Sequence, residues 1–141
     1  MKRYMFGVSP ARGWLILALL VLVMMGSGCA PEPEETAAMR ADARWKLVLA
    51  RDYETAWDYL SPGFRETTQR FDYARDRSSR PFRFLSAEVI SEECEEDICK
   101  INVLVSYRAI AAPAGMGKMN LSRELEETWI RVDGTWWMVE N

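Results

Sequence analysis

Asp133-Gly134 lies between two strand-like runs, Leu-Glu-Glu-Thr-Trp-Ile-Arg-Val before it and Thr-Trp-Trp-Met-Val after it. A type I′ turn needs φ > 0 at both central residues, and Asp-Gly adopts that conformation readily, so the pattern predicts a tight β-hairpin. A two-residue turn also sets the register. Val132 faces Thr135, Arg131 faces Trp136, Ile130 faces Trp137 and Trp129 faces Met138. Period-two alternation then places Thr128, Ile130, Val132, Trp137 and Val139 on one face. Trp129, Trp136 and Met138, with Glu127 and Arg131 among them, fall on the other. Both faces are largely apolar, so each is expected to be covered at least in part, with helices from the earlier chain as the natural cover.

Those helices are legible upstream. Residues 35–50 carry Ala38, Ala41, Trp45, Val48 and Leu49 at helical spacing. Asp52 is a candidate cap for a short second helix with Tyr53, Ala56, Trp57 and Leu60 on its buried side, ended by Ser61-Pro62-Gly63. A third helix is predicted over residues 64–77, with Phe64, Thr67, Phe71 and Ala74 along one side. Strands follow over residues 82–93, where the alternation slips, and 98–112. The second is the clearest, with Ile101, Val103, Val105 and Tyr107 on one face and Leu104 and Ile110 on the other. Residues 111–117 contain Pro and two Gly and are expected to form a loop. Strands over residues 118–132 and 135–140 complete the pattern. Helices first and antiparallel strands second define an α+β class.

Length and charge exclude several functions. The chain has 141 residues, room for one domain, and six Trp, five of them within residues 35–141. It carries 18 basic and 21 acidic groups. Lys2, Arg3 and Arg12 stand in a leading segment without acids, so the rest is decidedly acidic. That is the wrong balance for a nucleic-acid binder. There is no histidine. The commonest general base and the commonest zinc ligand are therefore absent, and no metal or cofactor is expected.

Residues 1–28 have the layout of an export signal: a basic start, an unbroken apolar run over residues 14–25, then Gly26-Ser27-Gly28 before Cys29. Twelve residues make a helix of roughly 18 Å, short of the ~30 Å hydrocarbon core that a permanent transmembrane helix must cross. The small residues leading into Cys29 resemble the lipobox of bacterial lipoproteins, although Gly26 stands where that pattern usually has an aliphatic residue. The resemblance implies that the Cys29 sulfur carries diacylglycerol at the mature N-terminus. It implies further that Ala30, rather than Asp, directs the protein to the outer membrane, facing the periplasm. Residues 29–34, with two Pro and acidic side chains, read as a tether. Residues 35–141 are then the folded domain.

Three cysteines are present. With Cys29 acylated, Cys94 and Cys99 remain as an even pair at the two ends of Cys-Glu-Glu-Asp-Ile-Cys, between two strand-like runs. In an oxidising compartment they are expected to form a structural disulfide. The competing reading is a redox or metal pair, but the spacing is not Cys-x-x-Cys and no further Cys or His completes a zinc site.

The run Ala-x-x-Arg-Trp-Lys-Leu-Val-Leu-Ala-Arg-Asp-Tyr-Glu-Thr-Ala-Trp-Asp-Tyr-Leu-Ser-Pro, residues 41–62, resembles the opening helices of NTF2-like domains, and Asp133 to Trp136 resembles their closing Asp-Gly-x-Trp strand. The resemblance covers nearly all of residues 35–141. It implies three N-terminal helices packed on a curved antiparallel sheet of about four strands, with a conical pocket between. It also implies dimerisation through the open sheet face. Candidate pocket residues are Trp45, Trp57, Tyr59, Tyr107, Trp129, Trp136 and Trp137. These rings line an apolar cavity or fill it as solid core. Enzymes of this fold use a carboxylate in an apolar pocket. Asp58, Glu88, Glu124 and Glu127 are the candidates, with Tyr107 as a donor, and no motif selects among them. The arginines between Arg65 and Arg83, with Arg75, Arg77 and Arg80 at their centre, either bind an anionic partner or pair with nearby acids and the acidic tip at residues 92–97. The expectation is a non-catalytic binding or assembly domain. It is lipid-anchored in the cell envelope, with an envelope protein or apolar small molecule as partner. The alternative is a small isomerase- or cyclase-type enzyme acting on an apolar substrate.

Overall fold

The computed structural model describes residues 34–110 and 119–140, all within one compact unit, Glu34–Asn141. The export segment, Cys29, most of the tether and the loop expected at residues 111–117 lie outside the described residues. The first helix, α1 (Ala37–Ala50), begins two residues later than its periodicity suggests, because Thr36 caps it by accepting a hydrogen bond from Met39 N. It ends at Arg51 in the left-handed conformation, φ 62°, where Arg51 N–H bonds back to the carbonyls of Leu47 and Val48. Asp52 caps α2 (Tyr53–Ala56) through Thr55 N at 3.1 Å, as expected. A 3₁₀ turn (Trp57–Tyr59) follows.

The single third helix expected over residues 64–77 is instead two: α3 (Pro62–Thr67) and α4 (Arg70–Ser79). Thr68 is extended at φ −125° and ψ 116°, which interrupts the helical ladder. The break shifts the buried side. Phe71, expected to be inward, is 66% exposed, while Tyr73 is 3% exposed and packs edge-on against Phe64 at 6.2 Å.

Four strands, β1 (Phe82–Glu95), β2 (Ile98–Ala109), β3 (Asn120–Val132) and β4 (Thr135–Val139), form an antiparallel meander in chain order. The β3–β4 hairpin has the expected register at every pair, and Asp133 and Gly134 sit at φ 51° and 77°. The slips in β1 are register shifts between Phe84 and Ser86 and between Val89 and Ser91, each of which bends and twists the strand. Leu60 bridges Met138, and Ser61 N donates to Met138 O at 2.8 Å, so the outer edge of β4 is capped rather than bare.

α1 lies across the inner face, against β1, β2 and β4. Ala37, Ala41, Trp45 and Val48 meet Ile101, Val103, Val105, Cys99, Trp129 and Trp136 in one core. Two alanines on α1 let the helix approach the sheet closely, and the rings fill what remains. The second face of the β3–β4 hairpin is covered in part, with Ile130 half-buried and Trp137 beneath Arg40 and Arg65. The rest of the outer face is mixed, with Ser106 bonded to Ser122, Asn102 to Ser91 and Lys100 to Glu126 beside an exposed Leu104. Ile98 and Val132 stay exposed on it.

Candidate functional site

The inward stripe of α1 is apolar except at Arg44, which falls between Ala41 and Trp45–Val48 and is buried with them. Its partners come from three other elements. Alternation along β3 turns Glu127 inward beside Trp129, the break at Thr68 turns Tyr73 of α4 inward, and Glu140 follows β4. Arg44 Nη1 donates to Glu127 Oε1 at 3.1 Å. Its Nη2 donates to the Tyr73 hydroxyl at 3.4 Å and lies 3.8 Å from Glu140 Oε2. Trp129 Nε1 donates to the other Glu127 oxygen at 3.0 Å. Arg77 of α4 pairs with Glu140. Burial works against the charge of Arg44, but attraction to Glu127, helped by Tyr73 and Glu140, outweighs it and holds the guanidinium above the ordinary arginine range.

This cluster is the floor of a cavity of about 200 Å³. Trp45, Val48, Phe82, Phe84, Leu125 and Met138 make its apolar wall, and Arg80 and Arg123 stand with Arg77 among its basic lining. Trp45 and Phe84 meet edge to face at 5.0 Å.

Of the rings named from sequence as pocket candidates, Trp45 lines this cavity. Trp129 is fully buried beneath the floor, where it orients Glu127, and Trp136 is buried beside it in the same core. Tyr107 packs behind the wall, 5.9 Å from Phe82 and 6.4 Å from Phe84. Trp57, Tyr59 and Trp137 belong elsewhere. They alternate with arginines in a ladder: Arg40 over Tyr59 and Trp137, Arg65 over Trp137 and Trp57, Arg70 over Trp57, at 4.5–5.3 Å. Of the four candidate acids, Glu127 reaches the cavity. Asp58 is bidentate to Arg70 and raises its pKa through that hydrogen bond, while Glu88 and Glu124 are exposed.

The arginine-rich segment is brought into pairs within the domain. Arg75 bonds Asp72, Arg80 bonds Asp76, Arg70 bonds Asp58 and Arg77 bonds Glu140. The acidic tip engages a different arginine. Arg131 donates through Nε to Asp97 at 2.7 Å and through Nη1 to Glu34 at 3.1 Å, and the Asp97 hydrogen bond raises its pKa.

Cys94 and Cys99 are directly opposed across β1 and β2 with Cα atoms 4.0 Å apart, and their sulfurs are at bonding distance. Glu92 lies beside them, but its carboxylate accepts Ala38 N–H at 2.9 Å, and a sulfur pair joined in this way offers no thiolate to a metal.

Arg44, Tyr73 and Glu140 were not among the sequence candidates. The signal for Arg44 is present in the sequence: it lies three residues past Ala41 and four before Val48, a lone cation inside an apolar stripe.

No protein-family model matches the chain, and no curated protein does. Among solved structures, a SEC-C motif-containing protein from Rhodopseudomonas palustris superposes with a TM-score of 0.59 at 13% identity, over 77% of this chain and 79% of that one. The two share a fold. A Campylobacter jejuni protein described as an NTF2-like transpeptidase has a TM-score of 0.43 at 15% identity, over 72% of this chain and 94% of that one, a likeness too slight to build on.

Proposed function

We propose that this chain is a lipid-anchored envelope protein whose NTF2-like domain binds a small molecule between its helices and its sheet without transforming it. One observation carries the reading. The cavity has an apolar wall, and Glu127, the most deeply buried acid on its floor, is tied into the fold through both oxygens: one accepts from Arg44 and the other from Trp129. A proton taken up by Glu127 would weaken its pairing with the buried Arg44, which favours a floor that holds shape and charge. Helices followed by a four-stranded antiparallel meander fit the NTF2-like arrangement. The paired Cys94 and Cys99 fit an oxidising compartment, in keeping with export. Several acyl chains on Cys29, at ~0.8 kcal/mol per buried CH₂, would hold the domain firmly at a membrane.

Two measurements on the full chain, expressed in a bacterial host, test the parts separately. Labelled palmitate should enter the wild type and not Cys29→Ser, and equal labelling or none removes the anchor from the account. Incubation with simple cyclic ketones in deuterium oxide should leave the protons beside the carbonyl unexchanged above buffer, and protein-dependent exchange lost in Glu127→Gln would replace the binding module with an isomerase.

A further inference from the structure

β3 is thirteen residues long, and five of them, residues 128–132, pair with β4. The chain leaves that ladder after Val139, and Glu140 turns to Arg77 instead. Residues 120–127 therefore have β2 on one side and, among the described residues, no strand on the other. Residues 120–124 and 126 are exposed. The direction of the free backbone groups follows from the hairpin. A two-residue turn makes Val132 and Thr135 a hydrogen-bonded pair, so Val132, Ile130 and Thr128 aim N–H and C=O at β4. Arg131 N donates the opposite way, to Asp97 O in the β1–β2 turn at 2.8 Å. The β2–β3 register has no shift, so the alternation continues unbroken. Ser122, Glu124 and Glu126 thus present N–H and C=O groups along a bare edge. The side chains of Leu121, Arg123 and Leu125 fall on the inner face, where Arg123 and Leu125 line the cavity. An open edge templates pairing with another strand unless it is disrupted. The other long edge, β1, is disrupted by its two register shifts, and this one is not. The cavity reaches the same edge, since Glu126 borders it although its carboxylate is bonded to Lys100 on the outer face.

We infer that the bare edge of β3 takes an extended peptide as a fifth strand, antiparallel to β3 and in line with β4, closing the open side of the cavity. Cross-strand neighbours set the chemistry of that peptide. On the inner face Leu121, Arg123 and Leu125 call for apolar, acidic and apolar side chains. Arg123 has no ion-pair partner among the described residues. On the outer face Ser122 calls for a hydroxyl, and Glu124 and Glu126 call for basic side chains. A second copy of the chain fits less well. The registers that pair the whole edge across a two-fold set Arg123 against Arg123 or Glu124 against Glu124, and like charges directly opposite are unfavourable. The inference goes beyond the binding role proposed above and stands without it.

The test is fluorescence-anisotropy titration of the full chain in detergent with the labelled, acetylated peptide Lys-Val-Lys-Glu-Thr-Val-Thr, whose first residue lies opposite Glu126. N-methylation at the peptide residues opposite Ser122, Glu124 and Glu126 removes the N–H groups aimed at the edge and should weaken binding at least about tenfold. N-methylation at those opposite Leu121, Arg123 and Leu125 alters N–H groups aimed away and should leave binding nearly unchanged. Glu124→Pro removes one donor from the edge without touching the β2 ladder, and should weaken the unmodified peptide several-fold with little change in melting temperature. Equal weakening by the two methylation patterns, or no binding of the unmodified peptide, overturns the added strand and leaves the cavity's own ligand untouched. A dimer in sedimentation that Glu124→Pro dissociates overturns the peptide and makes the occupant a second copy.

Discussion

Removing Glu127 and Arg44 together should destabilise the domain by clearly less than the sum of the two single removals. The two charges are 3.1 Å apart and each side chain is 5% exposed. At an effective dielectric near 20 their attraction is about 5 kcal/mol. Desolvating two ions costs several kcal/mol each, so the intact pair contributes little net stability. Deleting Glu127 leaves Arg44 buried with only Glu140, 3.8 Å away, and the Tyr73 hydroxyl to offset its charge, at up to about 3–5 kcal/mol. That is a large part of the roughly 5–15 kcal/mol holding a domain of this kind. Glu127→Leu also strands Trp129 Nε1, adding about 1–3 kcal/mol. Arg44→Met should cost a similar 3–5 kcal/mol, because Glu127 then lies beside Trp129 with no cation. The double variant should recover at least about 2 kcal/mol relative to the sum of the singles, since apolar groups of similar volume replace a pair that was close to neutral. Urea unfolding followed by tryptophan fluorescence gives all four free energies. Single losses below about 1 kcal/mol, or singles that add to the double, would refute the argument that these charges are buried and coupled.

The pair should also be insensitive to alkali. The Arg44 pKa is raised on folding, so its contribution is complete below the unfolded arginine value and fades only as pH climbs through the still higher folded one. The stability gap between wild type and Arg44→Met should therefore stay constant between pH 7 and about pH 10, and a gap that shrinks there contradicts the assignment. Reducing the Cys94–Cys99 bond, or Cys94→Ser with Cys99→Ser, should cost about 2 kcal/mol in the chain-entropy model for so short a loop. Unfolding midpoints with and without reductant read it directly. Trp137→Leu removes the ring shared by Arg40 and Arg65 and should cost about 1–2 kcal/mol, at about 0.5–1 kcal/mol for each stacked cation. Arg65→Leu in the Trp137→Leu background should then cost only its remaining stack on Trp57, less than it costs in the wild type, which a double-mutant cycle checks.

The β3–β4 hairpin is legible residue by residue because its turn is local: Asp133-Gly134 sets the register, and alternation assigns the faces. The opposition of Cys94 and Cys99 is legible for the same reason, a short connection between two periodic strands. The break at Thr68 is not legible, because Phe64, Thr67, Phe71 and Ala74 keep helical spacing across it, and only the docking of Tyr73 beside Arg44 distinguishes two helices from one. The cavity floor depends on tertiary geometry still more. Arg44 and Glu127 are 83 positions apart, and Glu140 joins them from just after β4. Sequence patterns name Glu127 as one acid among four, and only the fold shows which one is inside.

The central claim is that the cavity holds a ligand and does not turn it over. The most direct test is native mass spectrometry of the full chain, purified from its own membranes with the lipid intact. The account predicts that wild type releases a small molecule on denaturation, at close to one per chain, and that Trp45→Phe with Arg123→Gln releases much less. Wild-type protein that releases no more than the variant, while its fold is intact by circular dichroism, would contradict it.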